Sequence, residues 1–570
     1  MKIFKGTPVS PGVAEGSVYL YQAFACDVYE TYVQAGGEED ALKSYEQAVR
    51  AADDELLRLA ASFSADHADK AKIFEAHREI LADEEIGEEI RSAILDERQA
   101  ADFAVNRVYT EFAQLLSKVT DELIAARATD IRDVRNRLIR ILHGEMEKNL
   151  SALHAPVVVV AHDLLPSDTA TLDRKNVLAI VTEVGGTTSH SAILARSFGI
   201  PAVLGVPDVT EAFRDGACAA VDAMSGEVYL EPDDAVRQSI CRKREAFLKD
   251  RLDAARYLLD GAQLRDGTHV DVGLNIGSGA ETGAIRYCDF IGLFRTEFLY
   301  MQTDRLPDEE AQFEAYRDVL QRAEGKPVTI RTLDIGGDKT LPGLSLPKEE
   351  NPFLGCRALR LCLRNRDLFL TQLRAILRAS VYGQFWIMFP MVGSLDDLRA
   401  AKEALAEAMR MLDQRGIPYD KNMKTGVMIE IPSAAFMAAE IAAECDFASV
   451  GTNDLCQYLH AADRMNPDVK SYYQSFSPAM FRALNMIFNA FHAAGNPVSV
   501  CGELAGDPAA APVLAGLGLR KFSMNAGAVA GVKRALRQIS LAEAQALAGQ
   551  VCRMDTESAV KALLKCDASA

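Results

Sequence analysis

The sequence predicts an α/β protein in which a C-terminal (β/α)8 barrel follows a smaller α/β unit with an all-helical insert. Three observations predict it. Beyond Gly261, eight short apolar stretches alternate with helical segments. From Glu38, apolar residues recur at steps of three and four over a long stretch that contains no proline. At Pro156 the style changes to short apolar strands separated by turns, and one further strand, Gly16 to Tyr21, precedes the helical stretch.

Taken in order, the helical unit shows Leu42, Tyr45, Val49, Ala52, Leu56 and Leu59 on one face, then Val105, Val108, Phe112, Leu115 and Val119, then Ile131, Val134, Leu138 and Ile141. That is the spacing of amphipathic helices. The following strands are Val157 to Ala161, Val177 to Thr182, Ala202 to Leu204 and Ala219 to Val221, with a helix after Gly186. Asp233 to Leu259 is rich in Lys, Arg, Glu and Ala and reads as a connecting helix. The barrel strands are His269 to Leu274, Phe290 to Leu293, Val328 to Leu333, Phe385 to Phe389, Gly426 to Ile429, Phe447 to Val450, Pro497 to Val500 and Lys521 to Met524. Eight such strands with intervening helices indicate a closed barrel, which carries its chemistry at the C-terminal strand ends.

A chain of 570 residues is long enough for several domains. Its formal charge is 62 − 81 = −19. An acidic surface without a basic patch repels phosphate backbones and anionic lipid, which argues against nucleic-acid and membrane-surface functions. A basic protein partner, or a small anion held by a few buried arginines, fits better. The 11 cysteines occur singly, with no Cys-x-x-Cys pair, which excludes a zinc ribbon and argues against a disulfide framework. Gly6, Pro8, Pro11 and Gly12 interrupt the opening where a signal peptide needs an apolar run. A reduced, cytoplasmic location is expected.

Two constellations carry chemistry. In Gly185-Gly186-Thr187-Thr188-Ser189-His190-Ser191, His190 stands at a helix start, where backbone N–H groups and the dipole favour negative charge. The imidazole is a capping group or a nucleophile whose phosphorylated form the helix end stabilises. On the barrel, Arg295, Arg331, Arg357 and Arg464 are candidates to converge on one polyanion, and Lys339 adds a fifth positive charge. Glu430 and Asp454 end successive strands. They are either arginine partners or two carboxylate ligands of a Mg²⁺ whose remaining ligands come from substrate phosphate and water. Cys501, after the seventh strand, is a small buried hydrophobe or a proton donor to the anion site; the other cysteines keep the former reading. The glycines between Gly273 and Gly283 miss the dinucleotide spacing, and no Walker motif occurs.

Five motifs, Gly-Gly-Thr-Thr-Ser-His-Ser, Arg-Thr-Leu-Asp-Ile-Gly-Gly-Asp-Lys, Glu-Asn-Pro-Phe-Leu-Gly, Gly-Thr-Asn-Asp-Leu and Cys-Gly-Glu-Leu-Ala-Gly-Asp, stand in an order that resembles the enzyme I family of the bacterial phosphoenolpyruvate (PEP):sugar phosphotransferase system. The resemblance spans essentially the whole chain. It implies a swivelling phosphohistidine domain (1–29 and 149–230), a helical subdomain that binds the phosphocarrier HPr (30–148), a linker helix (231–260) and a PEP-binding barrel through which the chain dimerises (261–570). It implies that His190 is phosphorylated, that Arg295, Arg331, Asn453, Asp454 and Arg464 bind PEP, that Glu430 and Asp454 hold Mg²⁺, and that Cys501 is the proton donor. Two departures stand out: Cys356 replaces a usual tryptophan, and residues 23–34 match no part of the family pattern.

Two other readings share parts of this pattern. A pyruvate phosphate dikinase or PEP synthase shares the histidine domain and barrel but needs an ATP-binding domain far larger than the helical insert. A non-catalytic regulatory scaffold of the same fold is expected to have lost His190, Cys501 or an arginine, and all are present. The acidic stretch from Glu75 to Glu97 is either a solvated face or the docking surface for a basic carrier.

Overall fold

A computed structural model describes residues 1–21, 28–61, 68–117, 122–145, 150, 153, 155–164, 172, 175–186, 189–301, 305–336, 349–464 and 466–565. The chain divides into two compact units, one made of residues 1–250 and one beginning at Arg251.

In the first unit, strands β1 (Lys2–Lys5), β2 (Thr7–Ser10) and β3 (Val13–Tyr21) precede helices α1 (Glu38–Ala61), α2 (Ala68–Leu81), α3 (Glu84–Leu95), α4 (Ala101–Ser117) and α5 (Glu122–Leu142). Strands β4 (Val157–Ala161), β5 (Val177–Thr182), β6 (Ala202–Leu204), β7 (Cys218–Asp222) and β8 (Glu227–Leu230) then complete one eight-stranded sheet, in the order β1-β8-β7-β3-β4-β5-β6-β2. Strands β3 to β6 run parallel and the others antiparallel. The sequence predicts one N-terminal strand where the structure has three, and it misses β8. All three missed strands are only four residues long, too short for a periodic signal.

The helices between β3 and β4 have their own apolar core of Tyr45, Ala52, Leu56, Phe74, Ile90, Val105, Val108, Tyr109, Val134 and Leu138. Leu42, Val49, Leu59, Phe112 and Ile141 pack at its edge. The side chain of Leu115 and all of Val119 lie outside the described residues, as do residues 22–27, Cys26 among them. A buried cluster ties α5 to α1: Arg137 Nη1 donates to Glu55 Oε2 at 2.8 Å and Arg140 Nη2 to the same oxygen at 2.5 Å. Helix α6 (His190–Phe198) follows the β5 turn, and Ala192, Leu194 and Ala195 seat it on the sheet. Helix α7 (Asp234–Ala255) occupies the charged connecting stretch.

The second unit is a closed barrel of eight parallel strands: β9 (Asp271–Ile276), β10 (Phe290–Phe294), β11 (Val328–Arg331), β12 (Phe385–Phe389), β13 (Thr425–Ile429), β14 (Phe447–Val450), β15 (Val498–Val500) and β16 (Lys521–Met524). The expected (β/α)8 architecture is present, each strand lying within two residues of its expected position. Side chains alternate across the strands. Ile387 and Phe389 join the large core between strands and helices, whereas Met388 joins Leu293, Met428, Phe447 and Cys501 in a small separate cluster. Room for these groups comes partly from glycine. A Cβ on Gly426 would stand 2.6 Å from the Phe447 ring of the neighbouring strand. Where the chain enters the barrel, Lys533 Nζ donates to the carbonyls of Leu258 (3.0 Å), Asp260 (2.9 Å) and Tyr287 (2.6 Å), so a buried ammonium fixes that entry.

Candidate active site

In the first unit, the turn after β5 passes through Gly185 at φ 109°, a conformation that disfavours any residue with a Cβ. Ser189 then caps α6: its Oγ accepts from Ala192 N at 3.3 Å and donates to Gly186 O at 2.9 Å. His190 is therefore the first helical residue, at the positive end of the helix dipole. Its backbone alone is described; its side chain, Thr187 and Thr188 lie outside the described residues.

The second constellation lies at the C-terminal ends of the barrel strands. Arg331, the last residue of β11, places Nη2 2.8 Å from Glu297 Oε1 and Nη1 2.7 Å from Asp334 Oδ2. Arg357 takes the other oxygen of Asp334 at 3.0 Å and lies 3.5 Å from Asp454 Oδ1, which Arg464 Nη2 approaches to 3.8 Å from the far side. Three of the four arginines thus form one chain of charges through Asp334 and Asp454. Arg295, directly after β10, is half-buried, and its charge acts on the Cys501 thiol. Burial alone would lower the pKa of the Arg331 and Arg357 guanidiniums and favour their neutral forms. The facing carboxylates, Asp334 first in each case, override it and hold both guanidiniums firmly protonated.

Glu430 follows β13 and is fully buried. Its Oε1 accepts from Met391 N at 2.7 Å, while Oε2 has no hydrogen-bond partner. Burial, then the charges of Asp454 and Asp334, push this carboxyl well above the usual range. Asp454 does not end a strand, as the sequence suggests; it stands in the first turn of α8 (Thr452–His460), beside Asn453. The Asp454 Oδ1 atom is buried and makes no hydrogen bond. Asn453 turns its Oδ1 to Glu503 N at 3.0 Å, and Glu503 itself is exposed.

Two buried carboxylate oxygens without donors, next to the unpartnered Nε–H groups of Arg331 and Arg357, leave both kinds of valence open at one mouth. Such a donor set fits a hard divalent cation together with a phosphate. Among the described residues no group of three or more His, Cys, Asp or Glu side chains could enclose a metal.

Cys501 follows β15 and caps the barrel interior, 3.7 Å from Val450 O. Burial pushes its thiol up to about 11, against weaker pulls from Ser449, Arg331 and Arg295. It is therefore a protonated thiol near neutral pH. Lys339 lies outside the described residues. Cys356 is half-buried against the barrel core, and its N–H donates to Glu349 Oε1 at 2.9 Å. Sequence reasoning missed Glu297 and Tyr458. Tyr458 carried a signal, since it stands one helical turn after Asp454 and so shares its face.

The family profile for the PEP-binding domain of PEP-utilising enzymes matches residues 253–541, that for their mobile domain 153–226 and that for their N-terminal domain 5–127. A phosphoenolpyruvate-protein phosphotransferase of Priestia megaterium is 46% identical over 83% of this chain and 83% of its own length. One from Bacillus subtilis (strain 168) is 39% identical over 99% of both. A solved structure described as Enzyme I (nEIt) is 37% identical and covers 43% of this chain and 99% of its own, with a TM-score of 0.39. The chain belongs to the PEP-utilising enzymes and, within them, to the family of the phosphoenolpyruvate-protein phosphotransferases.

At pH 8 a thiol titrating at about 11 is ionised in roughly one molecule in a thousand, so iodoacetamide should modify Cys501 far more slowly than the exposed Cys241. Peptide mapping of a time course reads both rates. Equal rates at the two positions would contradict the environment assigned to Cys501.

Proposed function

We propose that this chain transfers the phosphoryl group of PEP to His190 and then to a histidine of an HPr-like phosphocarrier, releasing pyruvate. The observation that carries the reading is the open mouth of the barrel: unpartnered guanidinium N–H groups beside unpartnered carboxylate oxygens, with a protonated thiol adjoining.

In this reading Arg331 and Arg357 receive the phosphate, with Arg295, Arg464, Asn453 and Lys339 completing the pocket. Three of the four arginines at the mouth, Arg331, Arg357 and Arg464, already pair with carboxylates, Glu297, Asp334 and Asp454, which offsets much of the positive charge a further polyanion would meet. Glu430 and Asp454 would hold Mg²⁺, which supplies the missing positive charge and neutralises the phosphoryl oxygens. A His190 ring nitrogen attacks phosphorus in line, and the bridging P–O bond breaks toward the enolate of pyruvate. Cys501 gives its proton to the methylene carbon, and solvent reprotonates the thiolate. His190 belongs to the first unit and the arginines to the second, so turnover requires the first unit to deliver the imidazole to the barrel and then to the carrier, with α7 as the connecting element.

The corresponding domain assignment is a phosphohistidine domain of 1–29 and 149–230, a carrier-binding insert of 30–148, a linker of 231–260 and a barrel of 261–570 through which two copies pair. Glu75, Glu79, Glu84, Glu85 and Glu88 are exposed on α2 and α3 and offer a basic carrier an acidic face. Among the described residues no helix is long and apolar enough to cross a membrane. The place of action is the cytoplasm.

Incubation with ³²P-labelled PEP and Mg²⁺ should give acid-labile, base-stable label on His190 and none in His190→Ala. Label that appears only with ATP would contradict the assignment and favour a dikinase. Reversing Glu84 and Glu85 to lysine should raise the carrier's KM several-fold and leave phosphorylation by PEP unchanged. These glutamates also sit in the first turn of α3, so a thermal scan must accompany the assay. An unchanged KM would leave the acidic face as solvated surface only.

A further inference from the structure

Arg357 and Asp454 reach the mouth from different strands. Arg357 follows the turn Glu349–Gly355 on the β11 side, whereas Asp454 stands on α8 after β14. Opposite charges 3.5 Å apart in a buried site are drawn toward a closer, hydrogen-bonded pair. Yet they stop short of one, and Asp454 Oδ1 accepts no hydrogen bond. A collapsed pair would occupy both the carboxylate oxygen that a cation needs and the N–H that a phosphate needs.

Tyr458 contacts the same guanidinium nitrogen, Arg357 Nη1. Its hydroxyl donates to Phe353 O at 2.5 Å and lies 3.3 Å from Arg357 Nη1. A phenol has one proton to give, so toward the guanidinium it is the acceptor, and a guanidinium can only donate. The Phe353 ring lies under the same guanidinium, 5.7 Å from its carbon. Other bonds close the turn on itself: Glu349 accepts from Cys356 N, and Arg360 Nη1 donates to Leu354 O at 3.1 Å and Gly355 O at 3.2 Å. Tyr458 instead reaches the turn from α8, the helix that carries Asn453 and Asp454. Burial pushes its hydroxyl up to about 12, so it stays a neutral phenol through the physiological range.

We infer that Tyr458 is a positioning residue for PEP recognition: by accepting from Arg357 and anchoring Phe353, it holds the guanidinium off Asp454 and keeps the phosphate and cation subsites open. The inference rests on the PEP-binding reading above. Without the hydroxyl, Arg357 falls onto Asp454, and substrate must separate the pair before it binds. The loss appears in affinity rather than in the chemical step.

The test is calorimetric binding of PEP with Mg²⁺ to the full chain carrying His190→Ala, which cannot accept the phosphoryl group, compared with the same chain carrying Y458F, R357A or both. Y458F retains the ring and should weaken PEP binding about tenfold, the scale of one hydrogen bond to a charged group. In chains with His190, Y458F should raise KM by a similar factor and change kcat less than twofold. Because Tyr458 acts through Arg357, the double variant should bind PEP no more weakly than R357A. Multiplying losses would assign Tyr458 a separate structural role and overturn the inference, as would unchanged affinity in Y458F. A parent that fails to bind PEP overturns the functional reading and this inference with it.

Discussion

A carboxylate buried between two buried guanidiniums is costly to desolvate, and removing any one of the three leaves an uncompensated charge. Asp334 occupies that place, shared by Arg331 at 2.7 Å and Arg357 at 3.0 Å. The rest of the barrel mouth is arranged around this shared ion. Glu297 meets Arg331 from the other side and also accepts the Asp334 N–H at 3.1 Å, which fixes the backbone on which Asp334 stands. Arg357, held by Asp334, is thereby presented to Asp454, and Asp454 to Arg464. This chain of ion pairs leaves the Nε–H groups of Arg331 and Arg357 and one oxygen each of Glu430 and Asp454 without hydrogen-bond partners.

The two halves of the proposed chemistry impose different demands on the chain. The barrel must exclude water around a protonated thiol and a set of fixed charges, and closed parallel strands with an apolar interior do this well. The histidine must instead be deliverable to two places. It is therefore carried by a short capped helix on a separate sheet, where the helix end favours a phosphoryl group wherever the domain stands.

Much of the barrel was legible because its strands are buried on both faces and read as continuous apolar runs such as Phe385–Phe389. Arg331, Glu430 and Cys501 were legible for the same reason, as polar residues at the ends of those runs. The N-terminal strands β1 and β2 were not, since Lys2–Lys5 is largely exposed and Thr7–Ser10 contains a proline. Asp454 reads as a strand end because Val450 and Asp454 are close in sequence, yet the helix begins at Thr452. Which charge faces which was illegible. The pairing of Arg331 with Glu297 follows from β10 and β11 being neighbours in a closed barrel, and that of Arg357 with Tyr458 from a turn crossing to α8. Neither relation is encoded by spacing along the chain.

In the proposed chemistry, arginines already paired with carboxylates hold PEP well only once a divalent cation joins Glu430 and Asp454. The direct measurement is calorimetric titration of PEP into the His190→Ala chain at zero and at saturating Mg²⁺. Mg²⁺ should raise PEP affinity at least tenfold, PEP should raise Mg²⁺ affinity by the same factor, and Glu430→Gln should abolish the coupling. PEP affinity that is the same with and without Mg²⁺ would contradict the account.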